Sequence, residues 1–304
     1  MKIERAHRPL SALILAIGLS ACVFGQTSPS STLTVDRNLV FTSTPEKNLT
    51  LNLYRPANSS GKLPVVVMIY GGAWMMRFPQ SQTRKAEYLA RNGYAVAVID
   101  YRLSSEAKFP APLYDCKAAV RWIRANADKY NLDPAHIGAW GDSSGGHLAS
   151  LLGVTAGITN LEGNGGNPGE SSEVQAVVDF FGPADFVDIV SEKSVLAHGK
   201  ADSPEGLLIG GAIMDNIEKA KAASPVTYAT NSPAPFLIVH GDKDQIVPWE
   251  QSELLYEALS HAGADVTFYT IAGAGHEDPR FDSPMMRAAV GAFFDKHLKE
   301  TGQK

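Results

Sequence analysis

The sequence has little of three features that would indicate particular classes of protein. It contains only two cysteines in 304 residues, too few for a disulfide framework to hold the chain together. Its net charge is −5, and without a basic surplus it has little with which to neutralise nucleic-acid phosphates. The apolar run over residues 10–19 is too short to cross a bilayer comfortably. We therefore expect a chain that folds around a packed apolar core and has no nucleic-acid partner.

The N-terminus has the pattern of an export signal. Three basic residues among the first eight positions precede the apolar run. The run ends in Leu-Ser-Ala-Cys at Cys22, which resembles the lipobox of bacterial lipoproteins. The resemblance implies a signal peptide over residues 1–21, lipidation of Cys22 and a tether over residues 22–31. We expect an exported protein anchored to the cell envelope, at the outer membrane or the cell surface; plain secretion is the alternative.

Residues 32–304 alternate between strand-like and helix-like segments, with no internal repeat. The first two strand-like segments suggest an antiparallel start to a sheet, and the later alternation predicts parallel strands with helices on both faces. The fold class is therefore α/β, in one domain. Strand patterns occupy 33–41, 49–54, 63–70, 94–100, 137–140, 174–181, 236–240 and 266–271, and helix patterns occupy 82–91, 112–130, 249–261 and 284–299.

One long segment, residues 183–233, interrupts this alternation. Within it, Ser203-Pro204-Glu205 predicts a helix with a serine cap and a proline at its first position. The segment follows a strand and would lie near the carboxyl ends of the strands, where ligand sites of α/β proteins form. We interpret it as a partial lid over a pocket; an additional pair of structural helices is the alternative. Cys116, at helical spacing with apolar neighbours, is predicted to be a core residue.

The most informative motif is Gly141-Asp142-Ser143-Ser144-Gly145, which lies between an apolar strand and an apolar helix. In that context G-x-S-x-G forms a turn so tight that only glycine fits on either side of the serine. Ser143 would stand at a helix N-terminus, where backbone N–H groups favour developing negative charge. We predict that Ser143 is a nucleophile; a turn of small residues without chemistry is the alternative.

A serine nucleophile needs a base within hydrogen-bond reach, and the chain offers eight histidines. His147 is one helical turn after the serine, but the helix directs its side chain sideways into packing. His240 ends a strand and is predicted to brace the turn that follows. His276 lies in a glycine-rich loop after the last strand, at the edge where the serine turn lies. We predict that His276 is the general base.

The base in turn needs a carboxylate to orient it, and two aspartates follow His240. Asp244 is favoured because the chain has fully left the strand there and can reach the next loop. Asp242 is expected to hold its own turn. A calcium site built from this pair would lack further oxygen ligands nearby.

An oxyanion hole is predicted after the strand at 63–70. In Tyr70-Gly71-Gly72-Ala73-Trp74, the glycines let the backbone bend so that the N–H groups of Gly72 and Ala73 can meet a substrate oxygen. The N–H of Ser144 would join them. Trp74, with the apolar residues that follow it up to Phe78, is a candidate for the wall of an apolar substrate pocket.

Together these motifs resemble those of bacterial α/β-hydrolase esterases related to feruloyl and acetylxylan esterases, neighbours of the hormone-sensitive lipase group. The resemblance rests on the serine turn with Gly-His-Leu-Ala after it, the Gly-Gly-Ala-Trp loop, the Asp-Tyr-Arg-Leu stretch at residues 100–103 and the His-Gly-Asp-Lys-Asp stretch at residues 240–244. It covers nearly all of the chain after the tether. It implies an α/β-hydrolase fold and a triad of Ser143, Asp244 and His276, in the order serine, aspartate, histidine usual for that fold.

The chain departs from this family at one position. The family usually has His-Gly-Gly where this chain has Tyr70-Gly71-Gly72, and that histidine fixes the oxyanion loop by hydrogen bonds. Tyr70 therefore either braces the loop through its hydroxyl or contributes to substrate binding in the acyl pocket.

We expect a serine carboxylesterase that acts on small, short-acyl or aryl esters through an acyl-enzyme, with acyl groups on plant polysaccharides as a natural target. Its partners would be a small ester substrate and, through Cys22, the membrane. No cofactor or metal is expected. The alternatives are an amide-cleaving hydrolase, such as a peptidase or formamidase, and a surface lipoprotein that keeps the fold as a binding module.

Overall fold

The computed structural model describes residues 32–299, which form one eight-stranded sheet. The strands lie in the order β1-β2-β4-β3-β5-β6-β7-β8. β2 is antiparallel to both of its neighbours, β1 and β4. All the other neighbouring pairs in this order, from β4 and β3 to β7 and β8, are parallel. The strands are β1 Leu33–Ser43, β2 Asn48–Pro56, β3 Leu63–Ile69, β4 Ala95–Ile99, β5 Leu132–Asp142, β6 Ala176–Phe180, β7 Phe236–Gly241 and β8 Val266–Ile271.

Helices cover both faces of the sheet and divide its core into two apolar clusters. α2 and α4 contact the sheet within the larger cluster, whereas α1 and α8 pack in the smaller one. The helices are α1 Thr83–Arg91, α2 Ala111–Ala125, α3 Ala127–Tyr130, α4 Ser144–Val154, α5 Pro204–Ile209, α6 Ile217–Ala223, α7 Glu250–His261 and α8 Pro284–Leu298. The predicted α/β class, the mostly parallel sheet and the helices on both faces are therefore confirmed.

The central strands are apolar on both sides because both of their faces are covered. Every residue of β3 and of β4 is buried, and Val66 of β3 pairs with Val96 of β4 in parallel register. A strand buried on both faces reads as a continuous apolar run instead of an alternating one. Cys116 is fully buried on α2, as a core residue would be.

Two predicted boundaries differ from those observed. The helix pattern over 112–130 is two helices, because Asn126 between them leaves helical geometry (φ −107°, ψ 14°), with its side chain donating to the carbonyl of Trp122 at 2.8 Å. The strand predicted at 137–140 begins earlier, at Leu132, because Leu132 pairs with Leu63 at the start of β3.

The long segment at 183–233 carries α5 and α6 and contributes to the main core. Its helix start is confirmed, since Ser203 Oγ accepts from the N–H of Gly206 at 3.0 Å. Phe186, Ile189 and Leu208 are fully buried within the larger cluster. The segment therefore packs as part of the domain, and any lid movement stays a prediction.

Among residues 32–299, no helix combines the length and the apolar character that a membrane crossing requires. The predicted signal peptide, Cys22 and the tether lie outside the described residues.

Candidate active site

The turn between β5 and α4 holds Ser143 in a strained conformation. Ser143 has φ 55° and ψ −123°, a combination that costs a non-glycine residue about 1–3 kcal/mol. A Cβ on Gly141 would overlap the carbonyl of Gly145, and a Cβ on Gly145 would overlap the carbonyl of Ile69. The N–H of Ser143 donates to the carbonyl of Phe180 at 2.8 Å. Close packing on both sides therefore excludes other residues from the glycine positions and fixes the serine.

The structure brings Ser143, His276 and Asp244 together at the carboxyl edge of the sheet. His276 Nε2 lies 3.0 Å from Ser143 Oγ, and His276 Nδ1 lies 2.6 Å from Asp244 Oδ2. The ring of Phe181 packs edge-on against the imidazole, with centroids 4.7 Å apart. The arrangement is that of a nucleophile, a base and a carboxylate that orients the base.

Asp244 is held as an anion by several donors. Its Oδ1 accepts from the N–H groups of Ile246 (2.8 Å) and Val247 (3.0 Å). Burial raises the pKa of Asp244, but hydrogen bonds from His240 and His276 outweigh it and hold that pKa well below its usual range. A carboxylate that stays ionised can keep the His276 imidazole in one orientation and stabilise it when protonated.

His240 does not reach the serine and instead supports the Asp244 turn. It is fully buried; its Nδ1 lies 2.7 Å from Ser252 Oγ, and its Nε2 lies near Asp244 Oδ2 (3.2 Å) and the carbonyl of Val247 (3.0 Å). Asp242 accepts from the N–H of Gly273 at 2.5 Å and so ties its turn to the loop after β8. That loop carries His276.

The backbone after β3 forms an open turn beside the nucleophile. Gly72 has φ 126°, and a Cβ on it would meet the carbonyl oxygen of Met76 at 2.5 Å. Ala73 and Trp74 also adopt positive φ, 55° each. Within residues 32–299, no acceptor takes the N–H groups of Gly72, Ala73 or Ser144. These three donors are therefore available to a substrate oxygen.

Tyr70 lies behind this loop and not in the pocket, which corrects its assignment as a substrate-binding residue. Its side chain is fully buried, stacks on Tyr101 and donates its hydroxyl to Asp100 Oδ1 at 2.8 Å. Burial, with the nearby Tyr101 and Asp100, raises the pKa of Tyr70 far above its usual value. Asp100 also accepts from Lys47 and Arg77. Tyr70 thus supports the loop from its buried side, through Asp100 and the two cations that Asp100 binds.

Trp74 lines the pocket, as predicted, but the residues after it do not. Met75, Met76 and Phe78 are 42–50% exposed on the surface. Trp74 is 2% exposed and packs edge-on against His147 and Phe186. His147 points into packing and lies 2.7 Å from the carbonyl of Ala223 through Nε2, and its burial lowers its pKa to about 4. His147 therefore takes no part in the serine site.

A small cavity of about 30 Å³ opens beside Ser143. A buried water needs roughly 10–15 Å³ of such space, so the cavity admits a methyl-sized group or two waters. Its walls come from the turn after β3, the serine turn, the segment at 183–233 and the loop after β7. They include Ala73, Trp74, Ser143, His198, Glu205 and Val247.

His198 and Glu205 form a second carboxylate–histidine pair at this cavity, which the sequence does not reveal. His198 Nδ1 lies 3.0 Å from Glu205 Oε1, and both side chains are at most 3% exposed. His198 Nε2 lies 3.0 Å from both Ser194 Oγ and the carbonyl of Ile246. The only sequence signal was the capped helix start at Ser203-Pro204-Glu205, which locates a helix but says nothing about a pocket.

Metal ligands are not clustered in the described part of the chain. Among residues 32–299, no group of three or more histidine, cysteine, aspartate or glutamate side chains is placed to hold a metal ion.

Comparison with sequence families and curated proteins identifies relatives. The model of the BD-FAE family matches residues 51–259. Esterase LipC of Mycobacterium tuberculosis is 32% identical over 215 residues, which cover 70% of this chain and 52% of LipC. The chain thus spans about half the length of the curated relatives it matches.

Solved structures share the fold. A truncated carbohydrate esterase from gut microbiota superposes with a TM-score of 0.81 at 33% identity, covering 90% of this chain and 99% of that one. The bifunctional GH43-CE protein of Bacteroides eggerthii superposes with a TM-score of 0.79 at 36% identity, covering 86% of this chain and 35% of that one.

Proposed function

The chain belongs to the BD-FAE family and has the α/β-hydrolase fold, and from this we propose that it is a serine carboxylesterase acting on short-acyl esters. The observation that carries the proposal is the continuous chain of contacts from Asp244 through His276 to Ser143 beside three free backbone N–H groups. Each contact places a group in a role that acyl transfer needs. The esterases among its relatives support the same activity.

The proposed reaction passes through an acyl-enzyme. Ser143 Oγ attacks the ester carbonyl carbon while His276 Nε2 takes the hydroxyl proton. The carbonyl oxygen becomes negative and accepts from the N–H groups of Gly72, Ala73 and Ser144. The protonated imidazole then gives its proton to the leaving alcohol oxygen, and the acyl group remains on the serine. Water repeats the sequence with His276 as base and releases the acid.

The cavity beside Ser143 supports a preference for small acyl groups. A volume of about 30 Å³ accommodates an acetyl methyl and is small for a long acyl chain. We propose acetyl esters as the preferred substrates and acetyl groups on polysaccharides as a natural target. The structural neighbour that is a carbohydrate esterase supports this choice of target.

A panel of p-nitrophenyl esters from acetate to octanoate, with aminoacyl p-nitroanilides beside them, tests the proposal. We expect kcat/KM to be highest for acetate and to fall steeply with chain length. Ser143→Ala should abolish turnover and labelling by a fluorophosphonate probe. Anilide turnover exceeding ester turnover would favour an amide-cleaving enzyme, and failure of the wild-type protein to be labelled would favour a binding module.

We also propose that the protein is exported and anchored by lipid on Cys22, at the outer membrane or cell surface. The proposal rests on the lipobox-like sequence ending at Cys22, since more than one acyl chain gives stable anchoring. Mass spectrometry of the mature N-terminus should find an acylated Cys22. An unmodified N-terminal residue would reject lipid anchoring, and a Cys22→Ala variant is the matched control.

A further inference from the structure

One of the residues that line the cavity beside Ser143 has a buried carboxylate oxygen with no partner. Glu205 is 2% exposed, and its Oε2 has no hydrogen-bond partner among residues 32–299. Glu205 lines the same cavity as Ser143 and Ser144. Leaving a buried polar atom unpaired costs about 1–3 kcal/mol, and more for a charged group. A residue with only a packing role would be apolar here.

The other oxygen of Glu205 lies at ion-pair distance from the His198 imidazole. Because the carbonyl of Ile246 only accepts, the His198 Nε2 that lies 3.0 Å from it carries a proton. His198 Nδ1 faces Glu205 Oε1 at 3.0 Å, so a second proton must lie between them. Burial lowers the pKa of His198, but the Glu205 carboxylate outweighs burial and raises it. The pair as a whole is therefore neutral and offers one open acceptor.

A neutral pair with an open acceptor selects a particular kind of ligand group. A cation such as an ammonium would be desolvated in the cavity without a net opposite charge to balance it. A hydroxyl also donates a hydrogen bond, but it is uncharged, so its entry into the cavity does not carry the desolvation cost of a cation. The group must also fit a cavity of about 30 Å³ next to the nucleophile, so it lies within a carbon or two of the ester bond.

We propose that Glu205, positioned by His198, is a specificity residue that accepts a hydrogen bond from a substrate hydroxyl adjacent to the ester. This deepens the proposed esterase function and rests on it. The substrate class is the hydroxy ester. The hydroxyl has two possible sources: the alcohol part, as in the monoester of a vicinal diol on a sugar, or the acyl part, as in a 2-hydroxyacyl ester.

Two pairs of esters matched in size separate these sources. 2-Hydroxyethyl acetate against propyl acetate tests the alcohol side, and ethyl glycolate against ethyl propanoate tests the acyl side. For the wild-type protein we expect kcat/KM for the hydroxy ester to exceed that of its partner by about tenfold in one pair, since a hydrogen bond to a carboxylate contributes about that much or more. The pair that shows the ratio identifies the side.

Variants at Glu205 assign the ratio to this side chain. Glu205→Leu should bring it to about one. Glu205→Gln should keep most of it, because a neutral His198 Nδ1 accepts from the amide nitrogen and leaves the amide oxygen facing the cavity. Glu218→Gln, which changes a carboxylate that is 88% exposed on α6, is the matched control and should keep the full ratio.

The results separate the two proposals. If the wild-type protein hydrolyses simple acetates but the ratio of kcat/KM for hydroxy ester to matched ester is near one in both pairs, the role of Glu205 is overturned and the esterase proposal stands. A ratio that persists in Glu205→Leu would also overturn it. Loss of turnover on every ester by the wild-type protein would overturn the esterase proposal itself. If Glu205→Leu does not fold, the wild-type ratios and the Glu205→Gln ratio decide.

Discussion

Two buried carboxylate–histidine pairs lie beside Ser143, and they differ in what their second ring nitrogen contacts. In the Asp244–His276 pair, the nitrogen away from the carboxylate lies 3.0 Å from the serine oxygen. In the Glu205–His198 pair, the corresponding nitrogen lies 3.0 Å from both the carbonyl of Ile246 and Ser194 Oγ. The first imidazole can take a proton from the serine beside it. The second cannot, because its Nε2–H donates to these acceptors and the Ser194 hydroxyl donates to the carbonyls of Gln245 and Ile246.

The two carboxylates differ in how many of their oxygens have hydrogen-bond partners. Asp244 has both oxygens occupied, Oδ1 by two backbone N–H groups and Oδ2 by imidazoles. Glu205 lines the cavity and has one buried oxygen without a partner among residues 32–299. A carboxylate and a histidine therefore supply the base in one pair and, as proposed, an acceptor for substrate in the other, and the difference lies in which atom each pair leaves unpaired.

The largest expected effect is the loss of the base. His276→Asn should lower kcat/KM for p-nitrophenyl acetate by about 10⁶-fold, the order of loss when a triad histidine is removed. His198→Asn should cost no more than about tenfold on the same substrate, because that ring moves no proton in the reaction. Steady-state kinetics on both purified variants make the comparison. Equal losses would remove the distinction between the two pairs.

Replacing each carboxylate by its amide sharpens the comparison. Asp244→Asn should reduce kcat by about 10⁴-fold, because an amide neither holds the right tautomer of His276 nor stabilises the imidazolium. Glu205→Gln should alter kcat for a simple acetate by less than about tenfold and keep most of the preference for the hydroxy ester, because an amide oxygen still accepts a hydrogen bond. A loss of similar size in both variants would contradict the assigned roles.

His147 is another buried histidine near the pocket, but unlike His198, His240 and His276 it contacts no carboxylate in the described part of the chain. Its folded pKa of about 4 is below the usual 6.5, so the unfolded chain binds more protons between these values and stability falls as pH falls through that window. The loss by pH 4 is on the order of 3 kcal/mol, at about 1.4 kcal/mol for each pKa unit.

Urea unfolding of the wild-type protein and His147→Gln at pH 7 and pH 4.5 measures this effect. The variant starts less stable but should lose less between the two pH values, because its side chain does not titrate. Asp179, whose pKa burial raises to about 6, contributes with the opposite sign to both proteins and cancels in the difference. Parallel losses in the two proteins would show that His147 does not titrate as inferred.

The smallest effect concerns the cap that places Glu205. Ser203→Ala should destabilise the protein by about 1 kcal/mol, since Ser203 Oγ accepts from the N–H of Gly206. Ser283→Ala is a matched control, because Ser283 caps α8 in the same way and also precedes a proline. Chemical denaturation should give similar losses for both. Only Ser203→Ala should reduce the ratio of hydroxy-ester to matched-ester turnover.

Much of the site could be predicted from local sequence, because its turns depend largely on contacts between residues close together in the chain. A Cβ on Gly141 would overlap the carbonyl of Gly145 within the same five-residue turn, whereas Gly145 is also needed because the end of β3 packs against it. The oxyanion turn likewise needs Gly72, where the next few residues close the space. Such constraints leave a readable motif, and the ends of parallel strands bring these motifs to one edge.

The role of Tyr70 was open because it depends on distant residues. Its hydroxyl meets Asp100, which in turn meets Lys47 and Arg77. Neighbouring residues do not show whether an aromatic side chain faces a pocket or a buried ion pair. His198 and Glu205 are close in sequence, but their position beside Ser143 depends on distant residues, because the segment at 183–233 reaches the cavity only where it meets the loop after β7, as at the carbonyl of Ile246.

The sequence by itself determined the α/β alternation, the serine turn and the choice of His276 and Asp244 as candidates, because hydrophobic period and turn sterics act between near neighbours. Only the tertiary structure decided which atoms remain open beside Ser143. Whether an imidazole nitrogen meets the serine of the strained turn depends on packing between segments far apart in the chain, and no local pattern of residues encodes that distance.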